Sequence, residues 1–118
     1  MDKRKNERHS MKLHTKLSDN SFVSWGLLSD VSENGLFIKS NRDFTMGDAI
    51  NIELFMPDNI NSLLKGVIRR KIELPDSHRK YGLGIEVIEK DMVYRHFMRS
   101  LKGQRKTPLQ TPKGTGDK

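Results

Sequence analysis

The sequence predicts a mainly β protein, a small six-stranded antiparallel barrel with one C-terminal α-helix. Three observations carry this expectation. Runs of apolar residues alternating with polar ones recur from Met11 to Ile88, short turn-forming segments separate them, and the period turns helical after Asp91. A closed barrel suits an all-β core in a chain of 118 residues, because closure removes the exposed sheet edges that invite aggregation.

The first strand reads from Met11, with Met11, Leu13, Thr15 and Leu17 opposed to Lys12, His14 and Lys16. Ser18-Asp19-Asn20-Ser21 is turn chemistry. Phe22 to Ser29 forms the second strand and Gly35 to Ser40 the third, with the polar insert SDVSENG between the two apolar runs. Asn41-Arg42-Asp43 and Met46-Gly47-Asp48 bracket a loop, and Ile50, Ile52, Leu54 and Met56 then alternate as a fourth strand ended by Pro57-Asp58-Asn59. Leu63 to Leu74 is a long fifth strand stopped at Pro75-Asp76-Ser77. Tyr81 to Ile88 is the sixth, where Gly82 and Gly84 point to close backbone approach or a bulge. Asp91 is the expected N-cap of a helix in which Val93, Phe97 and Leu101 recur every fourth residue beside Tyr94 and Met98, with Gly103 as its stop. Three segments follow from this: a mobile basic arm over 1–10, the barrel and helix over 11–101, and a disordered basic tail over 102–118, rich in Gly, Pro, Thr and Lys.

The net charge of +7 is unevenly placed. Residues 1–16 and 102–118 carry +4 each, whereas 17–101 carry −1. A nucleic-acid-binding domain more often carries a basic stripe on the fold itself, and the eight aromatics fall mostly in expected core runs rather than on a basic face. A single-stranded nucleic-acid binder built on a small barrel is therefore the weaker alternative. The absence of cysteine excludes disulfides and thiolate sites and agrees with a cytoplasmic protein. The charged start MDKRKNER has no apolar segment after it, so no signal peptide is read there. Strictly apolar runs do not exceed three residues, far short of a membrane span.

No enzyme's parts are evident. His9, His14, His78 and His96 are scattered without metal-ligand spacing, and there is no nucleophile elbow, phosphate loop or complete dinucleotide fingerprint. Neither a catalytic residue nor a metal or cofactor is expected.

Two constellations remain. In RKNER, Arg4 and Arg8 stand four apart just before the first strand. A guanidinium forks onto phosphate oxygens or the O6/N7 edge of guanine and stacks on purines, so the pair suits an anionic planar ligand, or else is a solvated basic terminus. Arg95 and Arg99 repeat the spacing on the expected helix, where they read as solvent-facing charges. In DVSENG, Asp30 can accept from the N–H groups of a base, the Ser32 hydroxyl can donate or accept, and Gly35 permits a backbone shape that leaves room for it. The alternative is an Asn-Gly hairpin with Asp30 and Ser32 bonded to their own backbone.

Taken together and in this order, RxxxR before the first strand and [D/N]xSxxG between the second and third resemble the PilZ domain family. The resemblance covers roughly residues 2–101, including GLGIEV and the helix after it. It implies a six-stranded PilZ-like split barrel that receives the bacterial second messenger cyclic di-GMP. By that resemblance Arg4 and Arg8 would hold phosphates and guanine edges, Asp30 and Ser32 would contact a guanine, and Gly35 would keep the loop open. Lys3, just before RxxxR, would bear on whether one ligand or a stacked pair binds. Arg69 and Arg70 lie at opposite strand parity, so one is expected to face the ligand and the other solvent. The partners implied are cyclic di-GMP and a downstream protein, with ligand-dependent self-association as a further route. A PilZ-like adaptor without ligand is the other alternative.

Overall fold

In the computed structural model, which describes residues 8–75 and 77–106, six antiparallel strands close into one barrel. The elements are β1 His9–Ser18, β2 Val23–Val31, β3 Gly35–Ser40, β4 Ala49–Phe55, β5 Asn61–Glu73, β6 Tyr81–Glu89 and α1 Met92–Lys106. Around the barrel they run β1-β2-β3-β6-β5-β4, and β4 pairs with β1 to close it. The expected fold class is the observed one. β1 starts earlier than alternation alone indicates, because His9 pairs with Val31 and Ser10 with Asp30. The last two residues assigned to the N-terminal arm are therefore barrel residues.

Period two decides what lies inside. Leu17, Leu28, Ile38, Ile52, Leu54, Ile68 and Leu83 point inward and are almost fully buried. The same parity turns Trp25 outward on β2, next to inward Gly26. It is 60% exposed and stacks on Phe55 of β4 with ring centroids 5.7 Å apart. Trp25 is thus an exception to the expectation that aromatics fill the core.

Helix α1 is held against the barrel at its start. The Asp91 carboxylate accepts the Tyr94 N–H at 2.9 Å, which is N-cap geometry. It also accepts the Ser62 hydroxyl at 2.8 Å and the Leu63 N–H at 2.6 Å, fastening the helix to β5. Tyr94 and Met98 enter the core, with Val93, Phe97 and Leu101 packed beside them. The helix does not stop at Gly103 but runs to Lys106. A helical glycine costs only about 1 kcal/mol relative to alanine, and Gln, Arg and Lys after it are good helix formers. The remaining tail, 107–118, lies outside the described residues, and no described helix is long and apolar enough to cross a membrane.

Two irregularities shape one outer face. Between β2 and β3 the register passes from Leu28↔Ile38 to Asp30↔Phe37, leaving Ser29 as an extra residue. Between β5 and β6 it passes from Ile68↔Ile85 to Arg70↔Gly84, leaving Arg69 extra. These are β-bulges, which place two residues of one strand opposite one of its partner. Phe37 itself pairs with Gly84, so Asp30, Phe37, Gly84 and Arg70 form one row across four strands, with a bulge at each side.

Candidate functional site

That row opens into a cleft of about 530 Å³, within the range of about 300–1,000 Å³ of small-molecule sites. Arg8, Asp30, Ser32, Gly35, Arg69 and Arg70 all line it. With 84–87 of β6, four stretches of the sequence that carry no local relation thus meet at one surface. Lys3 and Arg4 lie outside the described residues.

Each side chain is placed by its strand. Arg8 immediately precedes β1, and the His9↔Val31 pairing sets it beside the end of β2. Asp30 is half-buried and accepts a long bond from the Ser10 hydroxyl, 3.4 Å. Ser32 is buried, its N–H donating to the Gly35 carbonyl at 2.9 Å and its hydroxyl to the same oxygen at 3.3 Å. The hydroxyl bond is long enough for a ligand to compete for it. The turn between β2 and β3 is a hairpin, but neither Glu33 nor Asn34 has positive φ, so it is not the primed turn that Asn-Gly usually signals. Gly35 also lacks positive φ, and its role is space. A Cβ there would stand 3.3 Å from the Ser32 hydroxyl and 3.5 Å from the Ile85 carbonyl.

Arg69 and Arg70 both line the cleft, contrary to the expectation that only one would. Strict alternation would separate them. The bulge at Arg69 breaks the alternation and turns both outward. Arg70 lies across Gly84, where an added Cβ would stand 3.2 Å from the arginine's own Cβ. Arg69 pairs with Glu86 at 2.7 Å, both side chains being more than half exposed, so the pair is worth no more than about 1 kcal/mol. Three guanidinium groups face the carboxylates of Asp30 and Glu86 around an apolar floor that includes Phe37 and Ile85. Such a surface can take an anionic ligand with a planar, hydrogen-bonding part.

The family model described as PilZ domain matches residues 2–102. The chain belongs to the PilZ family. No curated protein matches its sequence. Among solved structures it is similar to the Bacillus subtilis inhibitor of motility (MotI/DgrA), with a TM-score of 0.73 and 16% identity over 93% of this chain and 54% of that one. The chain therefore spans about half the length of that relative. It is similar also to the PilZ domain of YcgR from Escherichia coli, a structure with c-di-GMP, with a TM-score of 0.66 and 13% identity over 89% of this chain and 93% of that one. At these identities the likeness is one of fold.

Sequence reasoning missed several parts of this PilZ barrel's cleft. Gly84 and Glu86 were legible as the outward face of GLGIEV, opposite inward Leu83, Ile85 and Val87. Tyr94 was read only as core. It is fully buried, and its hydroxyl donates to the carbonyl of Ser32, tying α1 to the loop that lines the cleft. Burial first, and the Glu33 carboxylate second, push that hydroxyl's pKa well above the usual tyrosine value, so it stays a donor. The loop is tied twice more: the Val87 N–H donates to the Asn34 carbonyl at 2.9 Å and the Lys90 ammonium to the Asn34 side chain at 2.8 Å. Arg95 and Arg99, the second RxxxR, lie on α1 and contribute nothing to the cleft.

Proposed function

We propose that this PilZ domain is a cytoplasmic, non-catalytic receptor for cyclic di-GMP and relays binding to a partner protein as a change of surface. The observation that carries the proposal is the convergence of Arg8, Asp30, Ser32 and Gly35, from both motifs, on one cleft with Arg69 and Arg70. In this role the arginines hold phosphates and the O6/N7 edges of guanine, Asp30 accepts from guanine N–H groups, and Ser32 gives up its long internal bond to the ligand. Arg4 adds a second guanidinium ahead of Arg8, and Lys3 bears on whether one ligand or two are bound. The segments 1–10 and 102–118 are assigned different parts, the first a share in ligand binding and the second none.

The magnitudes are adequate. Charge-assisted bonds contribute about 1.5–3 kcal/mol each, so four or five of them, less the ordering of the groups that make them, support micromolar affinity near −8 kcal/mol. The neighbouring YcgR domain is described with the same ligand. An adaptor that takes no ligand would leave Arg8 and Arg70, which make no ion pair with a described residue, without a task at the cleft.

The test is a calorimetric titration of cyclic di-GMP at physiological salt with GTP as comparison, joined to an amide-shift titration. Saturable micromolar binding that GTP does not reproduce, with shifts at 30–37 and 69–86, is the expected outcome. The fitted stoichiometry reports the part played by Lys3, and sedimentation with and without ligand reports self-association. Silence in both titrations would remove the receptor role.

A further inference from the structure

The second RxxxR borders a depression of its own. It is about 140 Å³ in volume and is lined by Glu33, Lys90, Tyr94, Arg95, Met98 and Arg99. Arg95 and Arg99 stand one turn apart on the exposed side of α1, and neither makes an ion pair with any described residue. Tyr94 and Met98, buried behind them, give the depression an apolar floor. Met92, 65% exposed, lies on the same outer stripe one turn before Arg95. The surface therefore combines three cations, one carboxylate at the rim and an uncovered methionine. Arginine and methionine are among the residues enriched where proteins meet. The volume admits a single acidic side chain and is about a quarter of that of the nucleotide-sized cleft.

We propose that this helix–loop depression is the docking point of a partner protein, which inserts a carboxylate side chain between Arg95 and Arg99 and rests an apolar neighbour on Met92. Its control by ligand rests on the cyclic di-GMP assignment above; the docking itself does not. One stretch of chain serves both surfaces. Ser32 and Asn34 line the ligand cleft, whereas Glu33, between them, lines the docking depression. The Tyr94 hydroxyl holds the Ser32 carbonyl and Lys90 holds the Asn34 side chain, so a ligand that re-aims Ser32 or Asn34 acts on groups joined to α1. A shift of Glu33 changes the field at Arg95 and Arg99, where its carboxylate repels an incoming one. By linkage, a docked partner alters ligand affinity by the same factor.

The test uses the full chain and a fluorescein-labelled peptide of alternating glutamate and leucine, with a glutamine–leucine peptide and inorganic phosphate as comparisons. The expected result is binding of the glutamate peptide, with amide shifts at Glu33 and 90–99, and a loss of at least tenfold in the double variant Arg95→Glu/Arg99→Glu. Saturating cyclic di-GMP is expected to change peptide affinity by at least about fivefold. An Arg95→Gln/Arg99→Gln variant, with unchanged circular dichroism, should lose most of the same binding and guards against a folding artefact. Docking is overturned if no peptide binds, if the glutamine peptide or the charge-reversed protein binds equally, if the shifts fall in the ligand cleft, or if equimolar phosphate displaces the peptide and so marks a free-anion site. Failure of cyclic di-GMP to bind leaves the nucleotide-free peptide titration to decide docking by itself. Peptide affinity indifferent to bound cyclic di-GMP overturns the control alone.

Discussion

Replacing Tyr94 with phenylalanine isolates the bond between helix and loop. The ring is fully buried and Tyr94→Phe keeps all of it, so the apolar contribution to stability is unchanged. The substitution removes one hydroxyl and leaves the Ser32 carbonyl without the donor it has in the native fold. An acceptor stranded in a buried site costs about 1–3 kcal/mol. In a domain of this size each kcal/mol moves the melting temperature by roughly 4–8 °C, so Tyr94→Phe should melt some 4–24 °C lower. Urea unfolding measures the free energy directly, with an unchanged m-value expected because the surface exposed on unfolding is the same. The loop, less restrained, must then be ordered by the ligand. That should lower cyclic di-GMP affinity by ~0.5–1.5 kcal/mol, or roughly two- to tenfold. A stability loss below about 0.5 kcal/mol, the range of ordinary surface substitutions, would mean that the hydroxyl has no part in holding the loop.

Arg8→Ala should weaken cyclic di-GMP binding by about 2 kcal/mol with little change in melting temperature, since the side chain is exposed; Arg95→Ala, outside the cleft, should leave that affinity unchanged, and an equal loss in calorimetry would contradict the assignment. Glu86→Gln removes the carboxylate that engages Arg69; stability should change by less than about 1 kcal/mol while ligand affinity rises several-fold, and tighter binding that needs Glu86 intact would show that Arg69 does not turn to the ligand. Asp91→Ala removes the helix cap together with the bonds to Ser62 and Leu63; a loss of about 2–4 kcal/mol in urea unfolding is expected, and a near-neutral result would mean that α1 is not fastened to β5 through this residue.

The barrel was legible because its strands obey period two over most of their length. Gly35–Ser40 has the same bounds by alternation and by structure, and Asp91 caps the helix it was expected to cap. What alternation cannot register is an extra residue. Ser29 and Arg69 each insert one, and every side chain beyond the insertion changes face relative to a simple count. Hence Arg69 and Arg70 looked like alternatives, whereas both line the cleft. Gly82 and Gly84 hinted at close approach or a bulge on β6, and Gly84 is the one that stands opposite the second bulge. The Tyr94–Ser32 bond was hidden for another reason. Helical period shows that Tyr94 is buried, but its partner lies 62 positions away, on a loop whose place depends on closure of the whole sheet.

The two RxxxR pairs show why spacing by itself was not enough to locate the site. Arg4–Arg8 and Arg95–Arg99 are equivalent as text, and both suit an anion. Their difference is set by what each is attached to. β1 runs antiparallel to β2 with His9 opposite Val31, so the residue before His9 is delivered to the level of Ser32, where the serine and glycine of the other motif already stand. Arg95 is delivered elsewhere, because Asp91 fixes the start of α1 on β5 and Tyr94 fixes the helix's rotation by entering the core. With that face buried, a residue beside Tyr94 at the next position turns toward solvent and toward the back of the loop, next to Glu33. Each motif's place therefore follows from strand register and helix rotation: Arg8 stands at the cleft beside Ser32 and Gly35, whereas Arg95 and Arg99 stand on the far side of the loop beside Glu33.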